Sequence, residues 1–172
     1  MSADDVLAEY LRNSLSNPIQ GKAADIAART GLQVLAPWRD KMTLQIWPTV
    51  QKFLPELKGD VLDVGCYGGW LYPYVRGQAE YHGIDVWDDA IEAATCLFGP
   101  YFEVKSVFNY SKQHEVVWCT QITTLDVNET WKKLCSLAKR LVVYASPSIK
   151  WSLPGSTEEY DGDVNRVVIR RL

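Results

Sequence analysis

Asp60-Val61-Leu62-Asp63-Val64-Gly65-Cys66-Tyr67-Gly68-Gly69 is the stretch whose reading decides the fold. It opens on a short apolar run and closes on glycines, the pattern of a buried strand that turns sharply. Glycine allows positive φ and close approach of the backbone to a neighbour. A short helix is expected next, from about Trp70 to Val75, with Gly77 as its stop.

Downstream, strands and helices alternate. Tyr81-His82-Gly83-Ile84-Asp85-Val86 reads as a second strand. Asp89-Ala90-Ile91-Glu92 resembles a capping box, and the helix it opens should end near Gly99. A third strand is expected from Tyr101 to Val107 and a fourth from Glu115 to Cys119. Asp126 with Glu129 repeats the cap pattern, ahead of an apolar helical stripe of Val127, Trp131, Leu134 and Ala138. Arg140 to Ala145 is a fifth strand and Asn165 to Arg170 a last one. Such alternation predicts an α/β domain with a doubly wound, mostly parallel, Rossmann-like sheet flanked by helices. Residues 1–57 read as a helical N-terminal cap of the same domain. Ser2 caps its first helix, Asn17-Pro18 opens the second, and a third carries Met42, Ile46, Val50, Phe53, Leu54 and Leu57 on one face. Pro48 should kink or break that third helix. Residues 58–172 form the Rossmann-like core.

The bulk numbers fit one domain. The chain has 172 residues, 47% of them hydrophobic and 23% charged, with a formal net charge of -3. An acidic balance argues against non-specific attachment to nucleic acid, although Arg166, Arg170 and Arg171 offer a local basic cluster whose default reading is a solvated face. Cys66, Cys96, Cys119 and Cys135, with His82 and His114, lack the close spacing of a zinc site, so no metal and no disulfide framework are expected. No apolar run reaches the ~18 residues of a membrane span. The start, Met1-Ser2-Ala3-Asp4-Asp5, has no leader pattern, and the expected setting is the cytoplasm.

Ligands on doubly wound sheets bind beyond the carboxyl ends of the strands, at the switch point. That rule brings Gly65–Gly69 and Asp85 together. A carboxylate at the end of the second strand can accept hydrogen bonds from both ribose hydroxyls of an adenosine, while the turn and the helix start face the rest of the ligand. The dinucleotide fingerprint requires Gly-x-Gly-x-x-Gly. Here Tyr67 and Trp70 stand at its second and third glycines, and a bulky Tyr67 would obstruct a pyrophosphate. S-adenosylmethionine carries no phosphate, and Asp63 is placed to help hold its ammonium. A nicotinamide-dependent oxidoreductase is correspondingly disfavoured.

Asp63, Gly65 and Gly69, with Gly83-Ile84-Asp85-Val86, resemble the first two motifs of the class I S-adenosylmethionine-dependent methyltransferases. The resemblance covers roughly Lys58 to Ser148, and Tyr67 departs from the middle glycine of the first motif. It implies that Gly65, Cys66 and Tyr67 line the methionine portion, that Asp85 binds the ribose, and that Val86 lies against the adenine. Ser106, Val107 and Phe108 then contact the adenine edge, although the acid common in that third motif is missing. Trp118 lies near the same edge, with core packing as its bland alternative. The family's DNA amino-methyltransferases carry Asn/Asp-Pro-Pro-aromatic after the fourth strand, where this chain has Cys119-Thr120-Gln121-Ile122.

The expected activity is methyl transfer from S-adenosylmethionine to an oxygen, nitrogen or carbon acceptor. A small molecule or RNA fits better than DNA. No catalytic base stands out. Cys66 and Cys119 read as small buried thiols, His82 as structural, His114 as a solvated loop residue, and Glu158, Glu159 and Asp161 as a solvated acidic loop. Only a short tail follows the fifth strand, so one helix usual in this family should be missing. A catalytically inactive, methyltransferase-like partner or binding subunit is the alternative.

Overall fold

The computed structural model describes residues 49–120, 125–161 and 166–172. They build a seven-stranded sheet: β1 (Gly59–Val64), β2 (Ala79–Asp85), β3 (Phe102–Val104), β4 (His114–Thr120), β5 (Ala138–Ser146), β6 (Glu158–Asp161) and β7 (Arg166–Arg171). The strand order is β3-β2-β1-β4-β5-β7-β6. β1 pairs in parallel with both β2 and β4, β2 with β3, and β4 with β5, while β7 runs antiparallel to β5 and β6. The chain winds outward one way from β1 and then crosses to β4, which puts the switch point between those two strands. This is the doubly wound α/β sheet that the alternation predicts.

Three helices of the described residues lie between strands: α1 (Tyr72–Val75), α2 (Asp88–Phe98) and α3 (Val127–Leu137). The central strands are buried on both faces, as parallel strands with helices above and below must be. Period-two alternation sorts their side chains into two layers. Leu62, Val64, Ile84, Val117, Cys119, Val142 and Tyr144 pack with Trp131, Leu134 and Leu137 of α3. Val61, Val116, Trp118, Leu141 and Val143 pack with Val50, Phe53, Leu57, Leu71 and Val75. The helical residues 49–53 and the 3-10 turn Leu54–Glu56 thus belong to the second layer. The helices expected from Ser2 and Asn17-Pro18, the start of the third near Pro37 and the kink at Pro48 lie outside the described residues. The end of the third is described, helical at 49–53 and then a 3-10 turn, with Val50, Phe53 and Leu57 in the core layer and Leu54 packed against it.

The Asp126 cap forms as its sequence pattern predicts, its carboxylate accepting the Glu129 N–H at 2.8 Å. The other cap is corrected. α2 starts ahead of Asp89, with Trp87 at the cap position and no side-chain cap bond. Asp88 and Asp89 instead occupy its first turn, where acids favour the helix dipole. Gly99 ends that helix with φ of 101°. The third strand is shorter than expected, because the chain leaves it for a 3-10 turn at Val107–Asn109.

Residues 147–157 hold turns and bends only, so the missing helix is missing among the described residues. Ile149 and Leu153 fill its place, buried beside Trp131, whose indole N–H donates to the Pro154 carbonyl at 2.9 Å. The acidic loop is a second correction: Glu158–Asp161 is an edge strand. It is held by cross-strand cations, Arg166 to Glu159 at 3.0 Å and Arg171 Nε to Glu158 at 2.6 Å. Arg171 also pairs with Glu56, and this bond first of all holds the Glu56 carboxyl below its usual range. No described helix is long and apolar enough to cross a membrane.

Candidate functional site

The carboxyl end of β1 turns directly into the glycine segment. Gly65 and Gly69 take φ of 73° and 78°. Between them Tyr67 also takes a positive φ, 48°, and is the one described non-glycine residue to do so. An L-residue there costs on the order of 1–2 kcal/mol, which the surroundings must offset. The first two turn amides dock on β2: the N–H groups of Gly65 and Cys66 both donate to the Ile84 carbonyl, at 2.8 and 3.1 Å. Gly69 N–H closes on the Cys66 carbonyl at 2.8 Å, and Tyr72 N–H on that of Gly69 at 3.2 Å. Gly69 has a second reason to be glycine, since a Cβ there would come within 2.8 Å of the Phe102 ring.

Asp85 ends β2 beside this turn, as the spacing predicts. Its two oxygens are held separately. Tyr67 N–H donates to Oδ2 at 2.9 Å and Trp87 N–H to Oδ1 at 3.0 Å. Each oxygen keeps a further lone pair, so the fixed, half-buried carboxylate can still accept from a vicinal diol. Apolar side chains stand open at this end of the sheet: Val86 and Trp87, 71% and 43% exposed, follow Asp85 directly, and Phe108, 41% exposed, follows β3, the strand that pairs with the end of β2. Exposed apolar residues grouped beside a polar anchor mark a binding surface. Ser106 sets Phe108 in place, its hydroxyl accepting the Phe108 N–H at 3.3 Å.

Other predicted residues sit deeper. Asp63 is only 3% exposed and accepts from the Tyr81 hydroxyl at 2.6 Å. Burial, helped by the charge of Asp85, pushes its carboxyl up to about 7 against the opposing pull of the Tyr81 bond. Cys66 and Cys119 are buried, and burial drives both thiols well above their usual range, the opposite of what a nucleophile needs. Val107 is a core residue of the α3 layer. Trp118 is buried in the other layer, edge-on to Phe53 with ring centroids 6.4 Å apart, which is the packing alternative. Residues 121–124, after β4, lie outside those described. Among the described residues no group of three or more His, Cys, Asp or Glu could hold a metal ion.

Two neighbours were not read from the sequence. Trp87 lies edge-on to Tyr67 at 5.4 Å. Tyr81 caps Asp63, and the signal was present: period two along β2 sets Tyr81, Gly83 and Asp85 on one side, with Gly83 paired to Asp63. Gly83 has no room for a side chain, because a Cβ would stand 2.9 Å from Cys66 Sγ and 3.0 Å from the Tyr81 hydroxyl.

His114 requires a third correction. It is 0% exposed, not solvated. Its Nδ1 lies 2.6 Å from Asp60 Oδ1 and its Nε2 2.7 Å from the Tyr110 hydroxyl. Burial lowers its pKa, with the Asp60 hydrogen bond working against that. His82 stacks beside it at 6.1 Å and reaches Glu103 at 3.4 Å. This cluster stands at the amino end of the sheet, away from the glycine turn.

No protein-family model matches the chain, and no curated protein does. Solved structures do. The magnesium protoporphyrin IX methyltransferase of Synechocystis, with bound SAM, superimposes at a TM-score of 0.59 and 15% identity, over 90% of this chain and 97% of that one. An RNA methyltransferase of Salinibacter ruber, in complex with S-adenosyl-L-homocysteine, gives 0.56 at 16% identity, over 72% and 90%. The ribosomal protein L11 methylase of Lactobacillus delbrueckii subsp. bulgaricus gives 0.56 at 14%, over 74% and 78%. With its strand order, antiparallel β7 and glycine turn after β1, the chain has the class I methyltransferase fold.

Proposed function

We propose that this chain binds S-adenosylmethionine at the carboxyl ends of β1 and β2 and transfers its methyl group to an acceptor. The observation that carries the reading is the Asp85 carboxylate, pinned by one backbone N–H on each oxygen and followed directly by the exposed Val86 and Trp87. Asp85 takes the ribose hydroxyls, and Val86 and Phe108 flank the adenine. Gly65, Cys66, Tyr67 and Gly69 border the methionine portion, with Asp63 behind them. Five amides of the turn, those of Gly65, Cys66, Tyr67, Gly69 and Tyr72, already have protein acceptors, which leaves fewer donors for a pyrophosphate.

The sulfonium supplies an activated methyl carbon. An acceptor lone pair forms the new bond to that carbon, the carbon–sulfur bond breaks, and its electron pair stays on sulfur as the acceptor proton leaves to solvent. The protein's part is alignment of the reacting atoms, which can supply ~7–11 kcal/mol. We infer a small-molecule or RNA acceptor; the structural relatives act on a porphyrin, RNA and protein by their names, and the fold is compatible with each. The absence of a helix from residues 147–157 favours one other reading, a binding subunit without activity of its own.

Calorimetric titration with S-adenosylmethionine and with NAD is the test. Binding of the first and not the second is expected, and binding of NAD alone would end the proposal. Asp85→Ala should weaken S-adenosylmethionine by about 1.5–3 kcal/mol, the worth of hydrogen bonds to a charged acceptor. Formation of S-adenosylhomocysteine with a panel of metabolites and RNA divides the enzyme from the inactive subunit.

A further inference from the structure

We propose that Tyr67 is a positioning residue, whose ring latches the glycine turn to α2 and so presents Asp85 to the ligand's diol. The inference rests on the adenosine reading above and goes beyond it. Tyr67 stands where the methyltransferase motif has its middle glycine, and it keeps the glycine-like φ of 48°. Its ring packs on Ala90 and Ala93, small buried residues of α2 that leave it a seat, and it meets Trp87 edge-on at 5.4 Å. The same two residues grip Asp85 through their backbones. Tyr67 N–H holds Oδ2 and Trp87 N–H holds Oδ1. One aromatic contact therefore fixes, relative to each other, the two donors that orient one carboxylate. The strained backbone of Tyr67 is tolerated because its side chain is anchored elsewhere.

A glycine at position 67 would relieve the strain and keep the N–H, yet it would release the turn from α2. Restoring the motif residue should then harm the site, the reverse of what the motif alone suggests. The test measures S-adenosylhomocysteine affinity by calorimetry for the unmodified protein, Tyr67→Phe, Tyr67→Gly, Asp85→Ala and the Tyr67→Gly/Asp85→Ala pair. Circular dichroism sets a temperature at which all are folded. Tyr67→Gly should bind about tenfold more weakly than the unmodified protein, and Tyr67→Phe, which keeps a ring on Ala90 and Ala93, should lose less than the glycine does. In the Asp85→Ala background the glycine should cost nothing further, because the latch acts through that carboxylate. Equal or tighter binding by Tyr67→Gly, or losses that simply add, would overturn the latch. Amide exchange of residues 65–69 without ligand gives a second readout. Exchange should quicken more in Tyr67→Gly than in Tyr67→Phe, and unchanged exchange in Tyr67→Gly also overturns the latch. Should the unmodified protein bind no S-adenosylhomocysteine, the adenosine reading fails, and the exchange experiment still decides the latch.

Discussion

Asp60 and Asp63 stand on the same strand and meet opposite surroundings. At the amino end of β1, Asp60 joins His114, Tyr110 and, at 3.8 Å, Lys112, so that every polar atom of the buried imidazole has a partner. At the carboxyl end, Asp63 has the neutral Tyr81 hydroxyl, and Asp85 keeps acceptor capacity among exposed apolar side chains. One end is closed on itself; the other is built to receive something. Open parallel sheets put ligands at the carboxyl ends, and here the chemistry of the two ends follows the same polarity.

The largest expected effect separates the ends by pH. The Asp63 carboxyl titrates at about 7 instead of 3.8, so the native state holds its proton where the unfolded chain has lost it. Its contribution to stability is complete below pH 3.8 and lost as pH rises through about 7, a loss of up to roughly 4 kcal/mol. His114 works in the other direction: its pKa is lowered from 6.5, so acidification protonates the unfolded chain first and stability falls below that pH. Urea unfolding of Asp63→Asn across this range should lose the opposing Asp63 slope and keep that of His114, joined at the acid end by the paired Glu56, with stability rising toward neutral pH. A slope unchanged from the unmodified protein would mean that Asp63 is ionised when buried.

Next in size is His114→Ala, which strands the Tyr110 hydroxyl and Asp60. A loss of roughly 2–4 kcal/mol in unfolding free energy is expected, with S-adenosylmethionine affinity intact in the cold. Weakened binding there would show that the two ends are coupled. The smallest effect is expected from Phe108→Ala, about 1 kcal/mol in affinity for lost base stacking and no more than about 0.5 kcal/mol in stability. A larger loss of stability would make Phe108 a packing residue.

Much of this was legible in the sequence, and the parts that were not share a cause. The strands from β1 to β5, the Asp126 cap and the meeting of the glycine turn with Asp85 depend on period, turn residues and the switch-point rule, all of which act locally or through topology. His114 follows the polar run Ser111-Lys112-Gln113 and looks solvated, because its partner Asp60 is distant in sequence. β6 shows no apolar alternation, since an edge strand held by Arg166 and Arg171 needs none. The cap at Asp89 has the right letters, but the chain enters α2 from Asp85, which had already taken the Trp87 N–H. Tyr67 looked like a flaw in a motif because its seat, Ala90 and Ala93, lies on another element.

The placement of β7 between β5 and β6 carries a consequence for integrity outside the site. β5 holds Leu141-Val142-Val143-Tyr144-Ala145, an uncharged, strongly β-forming run buried on both faces. Its outer hydrogen-bonding side is covered by β7 alone, residue for residue from Leu141 with Arg171 to Ser146 with Arg166. Were β7 lost to proteolysis or truncation, that run would become a long, flat, apolar edge, the kind that recruits strands from other molecules. β6 in turn covers β7, and the ion pairs of Glu158, Glu159 and Asp161 with Arg171 and Arg166 fill that outer edge with charged side chains in place of an apolar template for aggregation.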